Sequence, residues 1–253
     1  MSIADKLTQI AENEQRVYDA GFAAGQSAGG DTFYNAFWDV YQNYGYRAAY
    51  NNAFSGGSNG AVVQYAGWTK DNFKPKYNMN VGNANSMFYY SGVTDINACL
   101  EAAGVAIDFS KCTTFVDMAN NCISTTFPPV DISSATKAGL TNIFRFFKTV
   151  TKLELSGVKS THEWGVNAFA SCGALRELYI SGEIGTTFTV TSALIPASAK
   201  SVINALVNYA GTDNEYKYTL TLGNAAWTAL EADSTAPTGT TWKEYVGSLG
   251  WNV

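Results

Sequence analysis

One stretch of this chain places a nucleophile in a catalytic spacing. Gly56-Gly57-Ser58-Asn59-Gly60 matches the G-x-S-x-G pattern of serine hydrolases. That chemistry needs the serine on a strained turn between a strand and a helix, with a general base in reach. Here the pattern sits in a Gly/Ser/Asn run that follows an aromatic-rich segment. The single histidine, His162, lies far along the chain in KSTHEWG. A triad would need that one imidazole and an unassigned acid, so residues 56–60 read better as a plain loop.

Other reactive types are scattered. Cys99, Cys112, Cys122 and Cys172 form no C-x-x-C pair, and with one histidine they make no metal-ligand set. Asp95, Asp108, Asp117 and Asp131 fall near unit boundaries, where acids serve more often as turn caps than as calcium ligands. Glu163, Glu177 and Glu183 are available as paired carboxylates, but no spacing singles them out. Gly182-Glu183-Ile184-Gly185 is too short for a phosphate-binding loop. No cofactor and no metal are expected.

The tyrosines carry more information. Tyr44, Tyr46, Tyr50, Tyr89, Tyr90 and Tyr179 cluster with Asn and Ser. Aromatic faces stack on sugar rings, while amides and hydroxyls meet sugar hydroxyls. The plainer reading is that each tyrosine bridges core and solvent.

What must position these residues is a repeat. Ile143-Phe144 through Ser156 (IFRFFKTVTKLELS) aligns without a gap on Ala168-Phe169 through Ser181 (AFASCGALRELYIS). Val150 matches Leu175, Leu153 matches Leu178, and Leu155 matches Ile180. A fainter copy has Met118 for Ile143, Cys122 for Phe147 and Val130 for Leu155. The earliest copy, Met87-Phe88 to Ile96, precedes Met118 by more than one such period, so an insertion separates them. Units this short cannot bury their apolar side alone and must stack. Each opens with a helical or turn stretch, followed by a strand alternating as Leu153-x-Leu155 or Leu178-x-Ile180. Alternation places those side chains inward and Lys152, Glu154, Glu177 and Tyr179 outward. Ser156-Gly157 and Ser181-Gly182 turn the chain at the strand exits. Cys122 and Cys172 share one repeat position with Ser91 and Phe147, which favours buried side chains over disulfides.

Ladder units span residues 77–185. Before them, residues 3–24 read as a helix whose narrow seam, Ile3, Leu7, Ile10 and Val17, suits a short coiled coil within a trimer; the alternative is an amphipathic helix on its own domain. Residues 1–26 thus form an oligomerisation helix, and residues 27–76 an aromatic-rich helix and connector. After the units, residues 186–253 read as a capping unit. It holds a helix over 197–210, a strand at Tyr218-x-Leu220-x-Leu222, helical turns at 227–230, and a final helix from Trp242 ending in Gly250-Trp251. The fold class expected is α+β.

A net charge of −5 without a Lys/Arg cluster argues against nucleic acid. No apolar run is long enough to span a bilayer, so no membrane insertion is expected. MSIADKLTQIAENEQ has no apolar h-region and does not read as a secretory signal.

MFYYSGVTDI, FVDMANNCISTTFPPVDIS and AFASCGALRELYIS resemble the bacterial-surface-antigen (BspA-like) leucine-rich repeats, in which an apolar-Phe pair precedes a Cys or Ser and then a strand; Phe147 departs from that pattern. MSIADKLTQIAENEQRVYDAGFAAG, AFWDVYQNYGYRAAYNNAF and TTWKEYVGSLGWNV resemble proteins encoded by phages and prophages of gut Firmicutes. The resemblance implies a short, irregular leucine-rich-repeat solenoid in a virion protein, made in the host cytoplasm and released by lysis. The function expected is a non-enzymatic, homotrimeric tail fibre or adhesin that joins other virion proteins and presents Lys152, Glu154, Glu177 and Tyr179 to a host-surface glycan or protein. The alternatives are a purely structural decoration or connector protein and, further off, a cell-wall polysaccharide hydrolase.

Overall fold

Leucines two apart in a polar context form a strand with one buried face, and two such strands lie side by side here. In a computed structural model, which describes Phe73 and residues 78–253 apart from 166 and 238, the element order is a series of short strands with four helices among the described residues. The strands are β1 (Met79–Asn80), β2 (Ile107–Asp108), β3 (Val130–Asp131), β4 (Lys152–Val158), β5 (Glu177–Gly182), β6 (Phe188–Val190) and β7 (Leu220–Leu222). The helices are α1 (Ile96–Ala103), α2 (Pro196–Asn204), α3 (Asn224–Asp233) and α4 (Trp242–Ser248). The class is mixed α/β. The seam expected to form a coiled coil (Ile3, Leu7, Ile10 and Val17), the aromatic segment before residue 55, and Gly56–Gly60 lie outside the described residues.

Among the described residues every strand pair is parallel. β3, β4 and β5 form one sheet in that order. Val130 pairs with Leu155, Leu153 with Leu178, and Leu155 with Ile180, so the pairing offset equals the sequence period. Leu153, Leu155 and Leu178 are buried, Ile180 half-buried. Each full burial is worth about 1.5–3 kcal/mol. Past Leu155 the register slips, and Val158 pairs with Gly182. The extra residue on β4 is Gly157, at φ +68°, where a Cβ would lie 2.5 Å from the Ser133 Cβ. Gly182, one period later, has φ +125° and packs on the Val158 backbone.

The stretches that open each unit are not helices. They are overlapping turns in which alternate N–H groups serve two directions. Met118, Asn120 and Cys122 donate to the nearby carbonyls of Phe115, Asp117 and Ala119. The intervening Phe115, Asp117, Ala119 and Asn121 donate to the next unit, at Gly139, Thr141, Ile143 and Arg145. Such alternation requires left-handed residues at fixed places. Positive φ occurs at Ser86 and Tyr90, Asp117 and Asn121, Asn142 and Phe146, and Ser171, positions that follow the sequence repeat. Asn, Asp and Ser tolerate this backbone; Tyr90 and Phe146 do so at a cost.

Aromatic rings run through the interior. Phe88 meets Phe127 at 5.3 Å, Phe127 meets Phe144 at 5.8 Å, and Phe144 meets Phe169 at 5.7 Å. The unit opening at Met118 has Ala119 where its neighbours have Phe88 and Phe144, and Phe127 stands between those two rings. Helix α1 falls within the insertion between the first two units. It is capped by Asp95, whose carboxylate accepts from the Ala98 N–H at 2.9 Å.

At the other end, α2 closes the sheet. The outward N–H groups of Leu178 and Ile180 donate to the Ser198 and Ser201 hydroxyls at 3.0 and 2.9 Å. An exposed strand edge invites another chain, and here side-chain hydroxyls satisfy it. The strand expected at Leu220–Leu222 forms but pairs with β6. The expected helix over 197–210 stops at Asn204, because Leu206 forms a bridge with Ile184. The last helix stops at Ser248, and the Trp251 indole N–H donates to the Val207 carbonyl at 2.8 Å.

Candidate functional site

Lys152, Glu154, Glu177 and Tyr179 lie on adjacent strands, Lys152 opposite Glu177 and Glu154 opposite Tyr179. Their side chains are interlinked. Lys152 Nζ lies 2.6 Å from Glu154 Oε1 and 5.6 Å from the centre of the Tyr179 ring. The Tyr179 hydroxyl donates to Glu177 Oε2 at 3.1 Å. The Glu154 carboxylate, by hydrogen bond and charge, raises the Lys152 pKa, so the ammonium stays charged. Lys152 is exposed, and the other three are half-buried. The arrangement can hold a ligand through a cation, two carboxylates and an aromatic face.

A second site was not legible in the sequence. A cleft of ≈ 790 Å³ is lined by Lys137, Thr141, Ser160, Thr161, Glu163 and Trp164 from the repeat units, and by Thr187, Tyr209 and Tyr218 from the C-terminal unit. Lys137 and Glu163 pair at 2.9 Å with both side chains more than half exposed; the Glu163 carboxylate raises the Lys137 pKa. Tyr209 is fixed by its hydroxyl, which donates to the Gly185 carbonyl at 2.8 Å. Its ring lies 5.5 Å from that of Tyr218 and 5.9 Å from Trp251. Trp164 is 7% exposed, and its indole N–H has no acceptor among the described residues. Lys137 and Glu163 are separated by close to one repeat period, which was a faint signal. The tyrosines come from outside the repeat and carried none.

The other candidates take local roles. His162 is buried, its Nδ1 accepts the Lys159 N–H at 3.2 Å, and burial holds its pKa below the ordinary value. Asp108 and Asp131 cap turns, accepting from the Ser110 and Ser133 N–H groups at 2.8 Å each, while the Asp117 carboxylate accepts from the Asn120 side-chain amide at 2.7 Å. Glu163, Glu177 and Glu183 take different surroundings: Glu163 pairs with Lys137, Glu177 accepts from Tyr179, and Glu183 is exposed. Cys112, Cys122 and Cys172 are buried free thiols, and burial pushes the last two up to about 12. Tyr89 and Tyr90 stand edge to face at 4.6 Å. Ser58 lies outside the described residues, as do Tyr44, Tyr46 and Tyr50. Among the described residues no helix is long and apolar enough to cross a membrane.

No family model, curated protein or solved structure matches this chain.

Proposed function

We propose that this chain is a non-enzymatic recognition protein, a phage tail fibre or adhesin whose leucine-rich-repeat ladder presents its strand face to a host-envelope glycan or protein. The observation that carries the reading is the interlinked set on β4 and β5. Side chains already held by one another lose less freedom on binding, and a parallel register holds them at fixed spacing. His162 supports the non-enzymatic reading, since its imidazole is shut from solvent and bonded within its own turn. The resemblance of the repeats and flanks supplies the virion setting.

In this reading residues 1–26 trimerise through Ile3, Leu7, Ile10 and Val17, and three faces add weak contacts through avidity. Sedimentation of a chain lacking residues 1–26 is expected to give a folded monomer; a surviving trimer overturns the coiled coil. The position on the particle is tested by immunogold labelling of purified phage. Label at the tail tip or fibres is expected. Label on the capsid or tail shaft, or none, overturns the adhesin assignment in favour of a structural role.

A further inference from the structure

We propose that the cleft between the repeat units and the C-terminal unit is a binding site for an uncharged saccharide. This site is separate from the strand face and does not depend on it.

Shape comes first. At ≈ 790 Å³ the cleft falls in the range of small-molecule sites, about 300–1,000 Å³. Its walls carry two half-buried tyrosines, Tyr209 and Tyr218, and the edge of the buried Trp164, whose ring packs on Phe169 and Phe188. A pyranose offers flat C–H faces that pack on such rings, and hydroxyl edges that need partners which both donate and accept. Thr161, exposed, supplies a hydroxyl of that kind; the exposed Thr141 hydroxyl, which donates to the Ala138 carbonyl, is left as an acceptor, and that of Thr187, which accepts the Thr219 N–H, keeps its donor. The aromatic wall is pre-set, because Tyr209 is tied to the Gly185 carbonyl and leans toward Tyr218.

Charge selects the ligand class. Among the described residues lining the cleft, the charged ones are Lys137 and Glu163, and they neutralise each other at 2.9 Å. An anionic ligand at Lys137 would also meet the Glu163 carboxylate, and a cationic ligand at Glu163 the Lys137 ammonium, so neither finds a net counter-charge. A neutral polyol meets the pair as donor and acceptor without disturbing it.

The test uses the full chain and a panel of neutral oligosaccharides: chitin oligomers, glucans and mannans, with polygalacturonate as the charged control. Binding is read by ligand-observed NMR saturation transfer and by titration of tryptophan emission. Saturable binding of at least one neutral oligosaccharide is expected, with none of polygalacturonate. Thr161→Trp and Thr141→Trp place a bulky ring at exposed positions of the cleft. Each should weaken binding at least tenfold while the thermal midpoint stays within a degree or two. Tyr218→Ala should weaken it as well. The proposal is overturned if no neutral saccharide binds, if polygalacturonate alone binds, or if binding survives both tryptophan variants. Binding lost in Tyr179→Ala but kept in Thr161→Trp moves the saccharide to the strand face. That result overturns the cleft inference and leaves the proposed function standing.

Discussion

Gly182→Ala tests the register that holds the strand face together. Gly182 has φ +125°, and a Cβ there would lie 2.1 Å from the Val158 carbonyl oxygen and 2.8 Å from its nitrogen. Both are backbone atoms and cannot swing aside. The same carbonyl accepts the Glu183 N–H at 2.9 Å. Turning residue 182 to a negative φ would break that bond, while keeping φ would push β4 and β5 apart. Holding alanine in this region costs about 1–3 kcal/mol, and forced overpacking costs a further ~1–3 kcal/mol. The expected loss is about 2–6 kcal/mol. At roughly 2–4 °C per kcal/mol for a chain of this size, the thermal midpoint should fall by about 4–24 °C. Gly173→Ala is the control, since nothing lies within 4 Å of its Cβ position and its φ is not positive. That change should stabilise by about 0.4–1 kcal/mol through the unfolded chain. Both are read by urea titration of tryptophan emission alongside thermal scans. A Gly182→Ala protein as stable as its parent, to within about 0.5 kcal/mol, would refute the claim that backbone contact at Val158 sets the register.

Three further outcomes follow from named contacts. Ser198→Ala leaves the buried Leu178 N–H without its acceptor and should cost about 1–3 kcal/mol; with Ser201→Ala added, the bared β5 edge should aggregate with concentration, as light scattering would report. His162 has its pKa lowered by burial, so its contribution to stability is complete above the ordinary value near 6.5 and is lost as pH falls through the depressed one. The parent's thermal midpoint should therefore fall more steeply from neutral to mildly acidic pH than that of His162→Gln, whereas Asp108, held low by the Ser110 N–H, acts in a more acidic window. Native protein treated with a thiol reagent should react at Cys99 alone, the half-buried cysteine, and release the other three on denaturation; fast reaction of Cys122 or Cys172 would contradict their burial.

The elements divide by how local their causes are. The repeat that carries Ile143 onto Ala168 and the alternation at Leu153 and Leu155 were enough to give β4, β5 and their inward face, because equivalent units must meet at equivalent places; β1, β2 and β6 were not legible, and the first unit runs into a helix at Ile96 instead of a strand. The shared position of Ser91, Cys122, Phe147 and Cys172 was enough to bury all four. Helix ends at the C-terminus were not legible in the same way. Leu206 and Trp251 carry apolar side chains at helical spacing, yet both are held by partners far along the chain, Leu206 by its bridge to Ile184 and Trp251 by the Val207 carbonyl.

Periodicity alone reports that a side chain points inward or outward, since that follows from the local backbone. It says nothing of what the side chain meets. The sequence by itself therefore determined a repeating chain with one apolar side and placed Lys152, Glu154, Glu177 and Tyr179 on the other. Tertiary structure decided that the two same-strand pairs, Lys152 with Glu154 and Glu177 with Tyr179, join across the sheet, because the approach of Lys152 to the Tyr179 ring depends on strand register. It also decided that Thr161 and Trp164 share a cleft with Tyr209 and Tyr218. Those pairs are far apart along the chain and belong to no common repeat, and only the close approach of the C-terminal unit to the repeats joins them.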